Sequence, residues 1–468
     1  MGDPDIPMSA NGTYSKAIGH DRSHVIHPFS QLATTEITPD DMYVGGAGCY
    51  LEDARGNRLF DANAGLWCVN VGYGRDEMVE AIREQAGRMS YGQIFARNAN
   101  LPSAELAARI ARLAPEGLNR VFLGTGGSIA NETAIRTVHH YFRLQGRDSK
   151  RFVLSVDQSY HGSTYLAASL TFSGNYHETF HVVDVVHELR SPYPYRAPDG
   201  LVGDRFVDYL VDDLERLITR LGADNIACFI LEPVLGAGGV IVPPEGYHAR
   251  MVEVCHANDI FVIADEVVTG FGRLGHFMAA EPVFGMQADL ITLGKGISSG
   301  YQPLSATLVS DRIQEVISAS EDPDRIYAHG FTHSGHPVCC AAGLANIDIM
   351  EREDLCGHVT RVGARFQARL RDLSGSSLVG EVRGLGFMAA VELVADRNTK
   401  ALFPSEVGIS GRVEAFCRDE GLIVRPLRQH IILSPPLIMT AEEGDWVVGV
   451  IERSLERVES DLRSEGLL

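Results

Sequence analysis

The chain has 468 residues, a formal net charge of −20, 45% hydrophobic residues and 22% charged residues. This length exceeds the usual size of one hydrophobic core, so we expect a globular protein with two domains. The negative charge argues against nucleic acid or an anionic membrane surface as a partner. The eight cysteines lack CxxC spacing, which predicts reduced thiols rather than disulfides or a zinc site. No run of 18 apolar residues and no basic leader occurs, so we expect a soluble, cytoplasmic protein.

The N-terminal part of the chain predicts a polar arm, a β-hairpin and a helix. Residues 1–25 are mostly polar and form the predicted arm. Strand patterns at both ends of 50–61 flank a short turn and predict a hairpin. Trp67, one of two tryptophans, follows this hairpin and is by itself typical of a core residue. Residues 75–89 have the periodicity of an amphipathic helix.

A candidate phosphate site follows a predicted strand at 121–123. A glycine-rich turn comes next, and a helix is predicted from 129 to 144. Glycine lets the backbone approach an anion, and the start of a helix offers free N–H groups. The turn therefore predicts phosphate binding through Gly127 and Ser128, although such glycines also occur only for backbone geometry.

Two further buried strands are predicted at 152–156 and 226–231, and each precedes a candidate site residue. Tyr160 follows the first strand, where an aromatic ring can stack on a flat conjugated cofactor. Glu232 follows the second strand. It either supports a site or is merely a strand-end carboxylate, and the second interpretation is preferred.

Asp265 and Lys295 are the main candidates for catalytic chemistry. The apolar run 260–264 predicts a strand buried on both faces, and Asp265 follows it at the edge where open α/β sheets bind ligands. Lys295 follows a second such run, 290–293, and is the only one of four lysines in an apolar, glycine-flanked setting. Burial lowers the pKa of an amine and favours Schiff-base formation, whereas the alternative is a surface lysine in a turn. An aldehyde cofactor with a phosphate and a basic ring nitrogen is expected, and pyridoxal phosphate (PLP) has these features.

Two other motif matches are rejected. Residues 270–275 fit GxGxxG, but a dinucleotide-binding turn needs a helix beginning within it and an acidic residue about 20 positions later, where Lys295 stands. His333 and His336 have HxxH spacing, but no third ligand is near and Pro337 disfavours the helix that would align them. We therefore predict neither a dinucleotide site nor a metal site.

The chain beyond residue 337 predicts a smaller α/β domain. Two long helices, at 338–352 and 355–373, precede strand patterns at 379–382, 387–393, 422–424 and 431–433. The predicted fold class is α/β with a large, mostly parallel sheet. The predicted divisions are an N-terminal arm (1–25), the N-terminal part of the small domain (26–70), a large cofactor-binding domain (71–337) and the C-terminal small domain (338–468).

Two stretches, ADEVVTGFGR at 264–273 and ITLGKGISSGYQP at 291–303, resemble the signature of class III, fold type I PLP-dependent aminotransferases. The likeness extends over about residues 27–457 and is strongest to the ω-amino-acid and amine:pyruvate branch. The stretch 126–131 is similar to the family's SGSEAN segment but departs from it at Gly126 and Ile129. The stretch 329–337 is similar to HGFTYSGHP, with a histidine in place of the tyrosine.

The resemblance implies roles for the residues that hold PLP. Lys295 would hold the cofactor as an internal aldimine and then act as general base and acid, while Asp265 would keep the ring nitrogen protonated. The further implied cofactor contacts are Gly127 and Ser128 at the phosphate, Tyr160 and Val267 on the two faces of the ring, and Thr332, which would reach the phosphate of the partner subunit in a homodimer.

The resemblance also implies how the substrate is bound. Trp67 and Tyr160 would wall its pocket. Arg425 would bind the substrate carboxylate, with Arg428 as the competing candidate. Ala237 stands where relatives that act on ornithine or GABA usually carry a glutamate that pairs with an arginine, so the pocket is expected to admit amines or ω-amino acids.

The predicted function is transfer of an amino group from a primary amine or ω-amino acid to pyruvate or a similar keto acid, by a homodimer or a tetramer of two dimers. A PLP-dependent mutase, decarboxylase or racemase is the alternative within the same fold, because those reactions would use the same lysine and aspartate. A nucleotide-binding protein without PLP is the alternative from another class.

Overall fold

The computed structural model describes residues 10–173, 176–198 and 200–468. Its strands are β1 (Tyr43–Ala47), β2 (Tyr50–Asp53), β3 (Arg58–Asp61), β4 (Leu118–Gly124), β5 (Phe152–Val156), β6 (Val186–Leu189), β7 (Ile226–Leu231), β8 (Phe261–Asp265), β9 (Leu290–Leu293), β10 (Ser305–Ser310), β11 (Val379–Leu385), β12 (Met388–Leu393), β13 (Leu422–Ile423), β14 (Arg425–Leu427) and β15 (His430–Leu433).

The α-helices are α1 (Ala10–His24), α2 (Ala64–Trp67), α3 (Asp76–Arg88), α4 (Leu101–Leu113), α5 (Gly127–Leu144), α6 (Tyr165–Ser169), α7 (Tyr176–Thr179), α8 (Asp204–Leu221), α9 (Tyr247–Ala257), α10 (Ala280–Phe284), α11 (Asp311–Ser318), α12 (Pro337–Arg352), α13 (Leu355–Arg371), α14 (Ile409–Asp419) and α15 (Ala441–Ser464). Short 3-10 helices occur at Pro194–Arg196, Ala223–Asn225, Lys295–Ser298, Asp372–Gly375 and Ser405–Val407.

A seven-stranded sheet with the order β4-β10-β9-β8-β7-β5-β6 forms the centre of the molecule. β10 runs antiparallel to both of its neighbours, and the other neighbouring strands are parallel. The predicted mostly parallel sheet is therefore confirmed. The strands predicted at 152–156, 226–231 and 290–293 have the predicted bounds. The strand predicted at 260–264 is β8, which begins and ends one residue later and therefore includes Asp265.

Both faces of the large sheet are buried, as its continuous apolar strands predict. In β8, Ile263 belongs to a hydrophobic cluster that includes Ile135 and Val138 of α5. The neighbouring Val262 and Ala264 belong instead to the main core cluster on the other side. Successive side chains of a strand point to opposite faces of the sheet, so β8 contributes alternate residues to the hydrophobic cores on the two sides.

Two smaller sheets, β1-β2-β3-β13 and β11-β12-β15-β14, complete the fold. The predicted hairpin is confirmed, because β2 and β3 pair antiparallel. β13 pairs parallel with β3, with Leu422 opposite Phe60 and Ile423 opposite Asp61. The N-terminal hairpin thereby pairs with a strand from the C-terminal part of the chain. The division into two domains stays a prediction.

The predicted N-terminal arm is only partly described by the structure. Residues 1–9 lie outside the described residues, and residues 10–24 form α1. The eight cysteines are free thiols. Within 10–173, 176–198 and 200–468, no helix has the length and apolarity needed to cross a membrane.

Candidate active site

A cavity of about 400 Å³ lies where the large sheet's parallel strands end. β4, β5, β7, β8 and β9 run in the same direction, so the segments that follow them meet at one edge. The residues that line the cavity are Cys68, Thr125, Gly126, Gly127, Ser128, Asn131, Tyr160, His161, Gly162, Glu232, Asp265, Val267, Val268, Lys295, Ser298, Gly300, Gln302, Pro303 and Leu304. The structure thus brings together six predicted site residues, and the volume suits a small-molecule site.

The carboxylate of Asp265 is held in one orientation by its neighbours. Nδ2 of Asn131 donates to Oδ2 over 2.7 Å, and Nδ1 of His161 lies 2.7 Å from the same oxygen. The backbone N–H of Val267 donates to Oδ1 over 3.0 Å. Because Asp265 is only 4% exposed, these contacts replace the water that would otherwise solvate its charge.

Lys295 occupies a strained position directly after β9. Its φ of +44° is unusual for a residue with a side chain and costs of order 1 kcal/mol. Close packing surrounds the turn, since a Cβ on Gly296 would overlap the side-chain amide of Asn70. Burial lowers the pKa of the Lys295 amine, while the charges of Asp265 and Glu232 oppose that shift. A desolvated amine of this kind can act as a nucleophile.

Glu232 supports the site, so the preferred interpretation as a simple strand-end carboxylate is wrong. Its Oε1 accepts from the backbone N–H of Tyr160 over 2.8 Å. Its Oε2 accepts from the N–H of Gly236 over 2.9 Å. Burial, with a further contribution from the charge of Asp265, raises the pKa of Glu232 to about 7.

The predicted phosphate turn forms a tightly packed cup at the start of α5. α5 begins at Gly127, two residues earlier than predicted, so Ser128 belongs to its first turn, where backbone N–H groups lack intrahelical acceptors. A Cβ on Gly127 would lie 2.8 Å from Cγ1 of Val267. Gly162 has a φ of +136°, and a Cβ there would lie 2.2 Å from Oγ of Ser128. Only glycine fits at these two positions.

Tyr160 lies between the cavity and a group of aromatic side chains. Its ring centre is 6.0 Å from that of Tyr176 and 6.5 Å from that of Phe29. Phe29 is largely exposed on the N-terminal segment. Sequence analysis did not identify Phe29, because nothing in its local pattern indicates where its segment packs.

Arg425 lies close enough to the cavity for its charge to lower the pKa of Lys295. Its own pKa is lowered by burial, and the nearby Tyr176 and Tyr160 oppose that shift. The rival, Arg428, donates instead to Oγ of Ser173 over 3.3 Å. The role of Arg425 in binding a substrate carboxylate stays a prediction.

Trp67 and Thr332 lie outside the lining of the cavity. Trp67 is 3% exposed and packs at Gly236, where a Cβ would lie 3.1 Å from the indole ring. Thr332 is exposed, and its carbonyl accepts from the hydroxyl of Tyr91 over 2.8 Å. Their substrate and partner contacts stay predictions.

Asn131 and His161 were not assigned roles from the sequence, although Asn131 ends the quoted stretch 126–131 and His161 directly follows Tyr160. Asn131 also donates to the carbonyl of His161 over 2.8 Å and accepts from Oγ1 of Thr292 over 2.6 Å. The two side chains therefore act as one hydrogen-bonded unit around Asp265. Their position next to the glycine turn and Tyr160 was the available signal.

The residues present fit PLP. The cavity combines a desolvated amine at Lys295, a fixed carboxylate at Asp265 and a glycine cup at the start of a helix. These groups match an aldehyde, a basic ring nitrogen and a phosphate, respectively.

Comparisons with known proteins agree with this site. Residues 36–455 match the family described as aminotransferase class-III. The chain is 38% identical over 439 residues to a putrescine–pyruvate aminotransferase of Pseudomonas aeruginosa, covering 93% of this chain and 95% of the relative. It is 38% identical over 465 residues to a diaminobutyrate–2-oxoglutarate transaminase of Halomonas elongata, covering 97% and 99%.

Solved structures show the same similarity. An (S)-enantioselective ω-transaminase from Thermomicrobium roseum superposes with a TM-score of 0.91 at 39% identity, covering 95% of this chain and 98% of that one. A PLP-bound amine transaminase from an uncultivated Pseudomonas species superposes with a TM-score of 0.90 at 38% identity, covering 93% and 99%. The chain therefore belongs to the class III aminotransferases and has the fold of the fold type I PLP-dependent transaminases.

Proposed function

We propose that this aminotransferase uses PLP to move an amino group from a primary amine or ω-amino acid to pyruvate or a similar keto acid. The observation that carries the proposal is that Lys295, whose amine pKa is lowered by burial, and the fixed carboxylate of Asp265 line one cavity. The similarity to a putrescine–pyruvate aminotransferase supports this choice of substrates.

Six residues that line the cavity have defined parts in the proposed reaction. When bound, PLP supplies an electron-withdrawing ring that stabilises negative charge on the substrate carbon. The Lys295 amine would hold the cofactor through its aldehyde. The same amine would take a proton from the substrate carbon that carries the nitrogen and later return a proton. Asp265 keeps the ring nitrogen protonated. Gly127 and Ser128 bind the phosphate, and Tyr160 and Val267 hold the two faces of the ring.

The substrate is selected by groups beyond this centre. Arg425 would bind the carboxylate of the keto acid as a charge-assisted pair. Ala237, in the turn after β7, provides no carboxylate that could pair with Arg425 in its place. Its carbonyl accepts from Oγ of Ser173 over 3.1 Å. A small neutral residue here supports amine donors that lack an α-carboxylate.

A homodimer belongs to the proposal. Thr332 is exposed and lies outside the cavity of its own chain, which is what contact with a partner's phosphate would require. Pairing of two dimers into a tetramer and the cytoplasmic location expected from the sequence also stay predictions.

The alternatives have less support. The family and the relatives named above are aminotransferases, which disfavours a mutase, decarboxylase or racemase. The segment 270–275 forms a turn, and the following helix, α10, begins only at Ala280. The structure therefore lacks the turn-to-helix junction that a dinucleotide fingerprint requires there.

The absorbance spectrum of the purified protein tests the proposal. A visible cofactor band should disappear when a primary amine is added without keto acid, and pyruvate should restore it. A protein without such a band after incubation with PLP would contradict the proposal. So would a band that amine and pyruvate leave unchanged.

Chemical trapping identifies the lysine independently of turnover. Borohydride reduction of the PLP-loaded protein, followed by peptide mass analysis, should place the label on Lys295. Lys150 is the natural internal control, because it is buried and burial lowers the pKa of its amine, as it lowers that of Lys295. Labelling of Lys150, or equal labelling of both residues, would overturn the assignment.

A further inference from the structure

A buried charge cluster lies outside the active-site cavity, centred on Glu392 of β12. Its carboxylate accepts from the hydroxyl of Tyr193, from Nε of Arg196 over 3.0 Å and from Nη1 of Arg383 over 2.6 Å. Nε2 of His430 lies 3.3 Å away. Such a buried glutamate holds its partners firmly, because breaking any of these contacts would leave charge unsolvated.

Arg383 connects this cluster to the turn after β7. Its Nε donates to the carbonyl of Gly239 over 2.8 Å. Gly239 has a φ of +114°, and a Cβ there would lie 2.9 Å from Nη2 of Arg383. The guanidinium also lies 4.7 Å above the ring of Tyr193. The guanidinium of Arg383 is therefore bonded to Glu392 through Nη1 and to the turn through Nε.

The same turn contacts two groups assigned to the active site. The N–H of Gly239 donates to the carbonyl of Gly236 over 3.0 Å, which ties both ends of the turn together. Gly236 in turn donates to Glu232 and packs against Trp67. The Gly239 carbonyl that Arg383 binds therefore belongs to the same short turn that packs against Trp67.

We propose that Arg383, held by Glu392, is a positioning residue for the amine pocket. It fixes the turn 236–239 against Trp67 and thereby sets which amine substituents the pocket accepts. The link to amine choice rests on the proposed function, whereas the link to the position of Trp67 does not.

Two glutamine variants separate positioning from loss of charge. Arg383→Gln and Arg196→Gln each remove one positive charge that pairs with Glu392. Arg196 donates to Glu392 through Nε and Nη2, and Arg383 donates through Nη1, but only Arg383 also bonds to Gly239. With pyruvate as acceptor, kcat/KM is measured for a small and a bulky primary amine. We expect Arg383→Gln to change the ratio of the two values at least about fivefold through KM, with the cofactor band kept. Arg196→Gln should leave the ratio within about twofold. Equal shifts in both variants, or an unchanged ratio in Arg383→Gln, would overturn the proposal.

Fluorescence tests the positioning without catalysis. Trp67 and Trp446 are the two tryptophans, and Trp446 is 40% exposed on α15, so Trp446→Phe leaves Trp67 as the single reporter. In this background, Arg383→Gln should raise acrylamide quenching of the PLP-loaded protein at least about twofold, and Arg196→Gln should not. If Arg383→Gln fails to fold, Arg383→Lys keeps the charge and removes the Nε donor, and the same rise is expected. If Arg383→Gln leaves the quenching unchanged in an enzyme that transaminates, the positioning role of Arg383 is wrong and the proposed function stands. If Arg383→Gln raises the quenching in a protein that does not transaminate, only the proposed function is wrong.

Discussion

At the scale of single residues, Asp265 and Asp289 are two buried aspartates in similar settings, at opposite ends of two neighbouring parallel strands of the large sheet. Asp265 ends β8, whereas Asp289 directly precedes β9, which runs parallel to β8. Both are buried, with exposed fractions of 4% and 9%. Oδ2 of Asp289 lies 2.9 Å from Nε2 of His256 and accepts from the N–H of Val262, much as Asp265 pairs with His161 and Val267.

Asp265→Asn should lower the rate of the amine half-reaction about 10²- to 10³-fold, because a neutral amide cannot keep the cofactor ring nitrogen protonated. Stopped-flow absorbance of the PLP-loaded enzyme measures this rate. Asp289→Asn is the control and should change the rate less than about threefold, since Asp289 only supports the fold. Comparable losses in both variants would show that the effect comes from folding rather than from the site.

Glu232 gives a prediction for stability against pH. Burial raises its pKa from 4.5 to about 7, so the folded protein binds this proton more tightly than the unfolded chain. The resulting stabilisation is fully present below about pH 4.5 and is lost as the pH rises through about 7. Between pH 5 and pH 8 the free energy of unfolding should fall by about 2.5 kcal/mol through this group.

Urea unfolding of the wild type and Glu232→Gln at both pH values measures that contribution. The wild type should lose about 2.5 kcal/mol more than the variant on going from pH 5 to pH 8, because glutamine does not titrate. Glu266 is also buried with a raised pKa, but it is present in both proteins and cancels in the comparison. An identical pH dependence in the two proteins would show that Glu232 titrates normally.

At the scale of secondary-structure elements, the junction between β4 and α5 decides whether a phosphate can be held. Gly126 and Gly127 are adjacent and both line the cavity, but their surroundings differ. A Cβ on Gly126 would meet nothing within 4 Å, whereas one on Gly127 would press on Val267. The start of α5 can therefore pack against Val267, just after β8, only because residue 127 is a glycine, whereas residue 126 has no such requirement.

Gly127→Ala should weaken PLP binding at least about tenfold, because the added methyl group displaces Val267 or the helix start. Gly126→Ala should change the affinity less than about threefold, because its φ of −176° is open to any residue and space is free. Absorbance titration of the cofactor-free protein with PLP measures both affinities. Equal weakening would mean that the cup needs both glycines.

Prediction of elements from sequence succeeded where hydrophobic patterning was continuous. β5, β7 and β9 have the predicted bounds because each is an apolar run closed by polar or glycine residues. The start of α5 was placed two residues late, since a glycine-rich turn and the first turn of a helix look alike in sequence. Residues 10–24 were taken as part of a polar arm, but they form α1, whose apolar residues show little periodicity.

At the scale of the whole molecule, the site combines the large sheet with a strand of a smaller one. Arg425 begins β14, which pairs with β15 in the sheet that also contains β12. Its charge nevertheless contributes to lowering the pKa of Lys295, which follows a strand of the large sheet. Binding of the keto acid carboxylate would therefore connect the two parts of the chain.

Arg425→Ala should raise KM for pyruvate about 10- to 100-fold, because a charge-assisted hydrogen bond contributes about 1.5–3 kcal/mol. The half-reaction with an amine that has no carboxylate should change little. Steady-state kinetics with varied pyruvate measures the first effect and single-turnover absorbance the second. Arg428→Ala is the control, and a larger rise in KM for that variant would make Arg428 the carboxylate ligand instead.

The amino-acid sequence alone determined the fold class, the strand ends that carry chemistry, and the Asp265–Lys295 pair. These features depend on local patterning and on short motifs, which neighbouring residues along the chain specify. Only the tertiary structure decided that Asn131 and His161 hold Asp265, that Glu232 supports Tyr160, and that Arg383 reaches Gly239. The partners in these contacts lie 134, 104, 72 and 144 residues apart. Strand order and packing, which no local pattern specifies, bring them together.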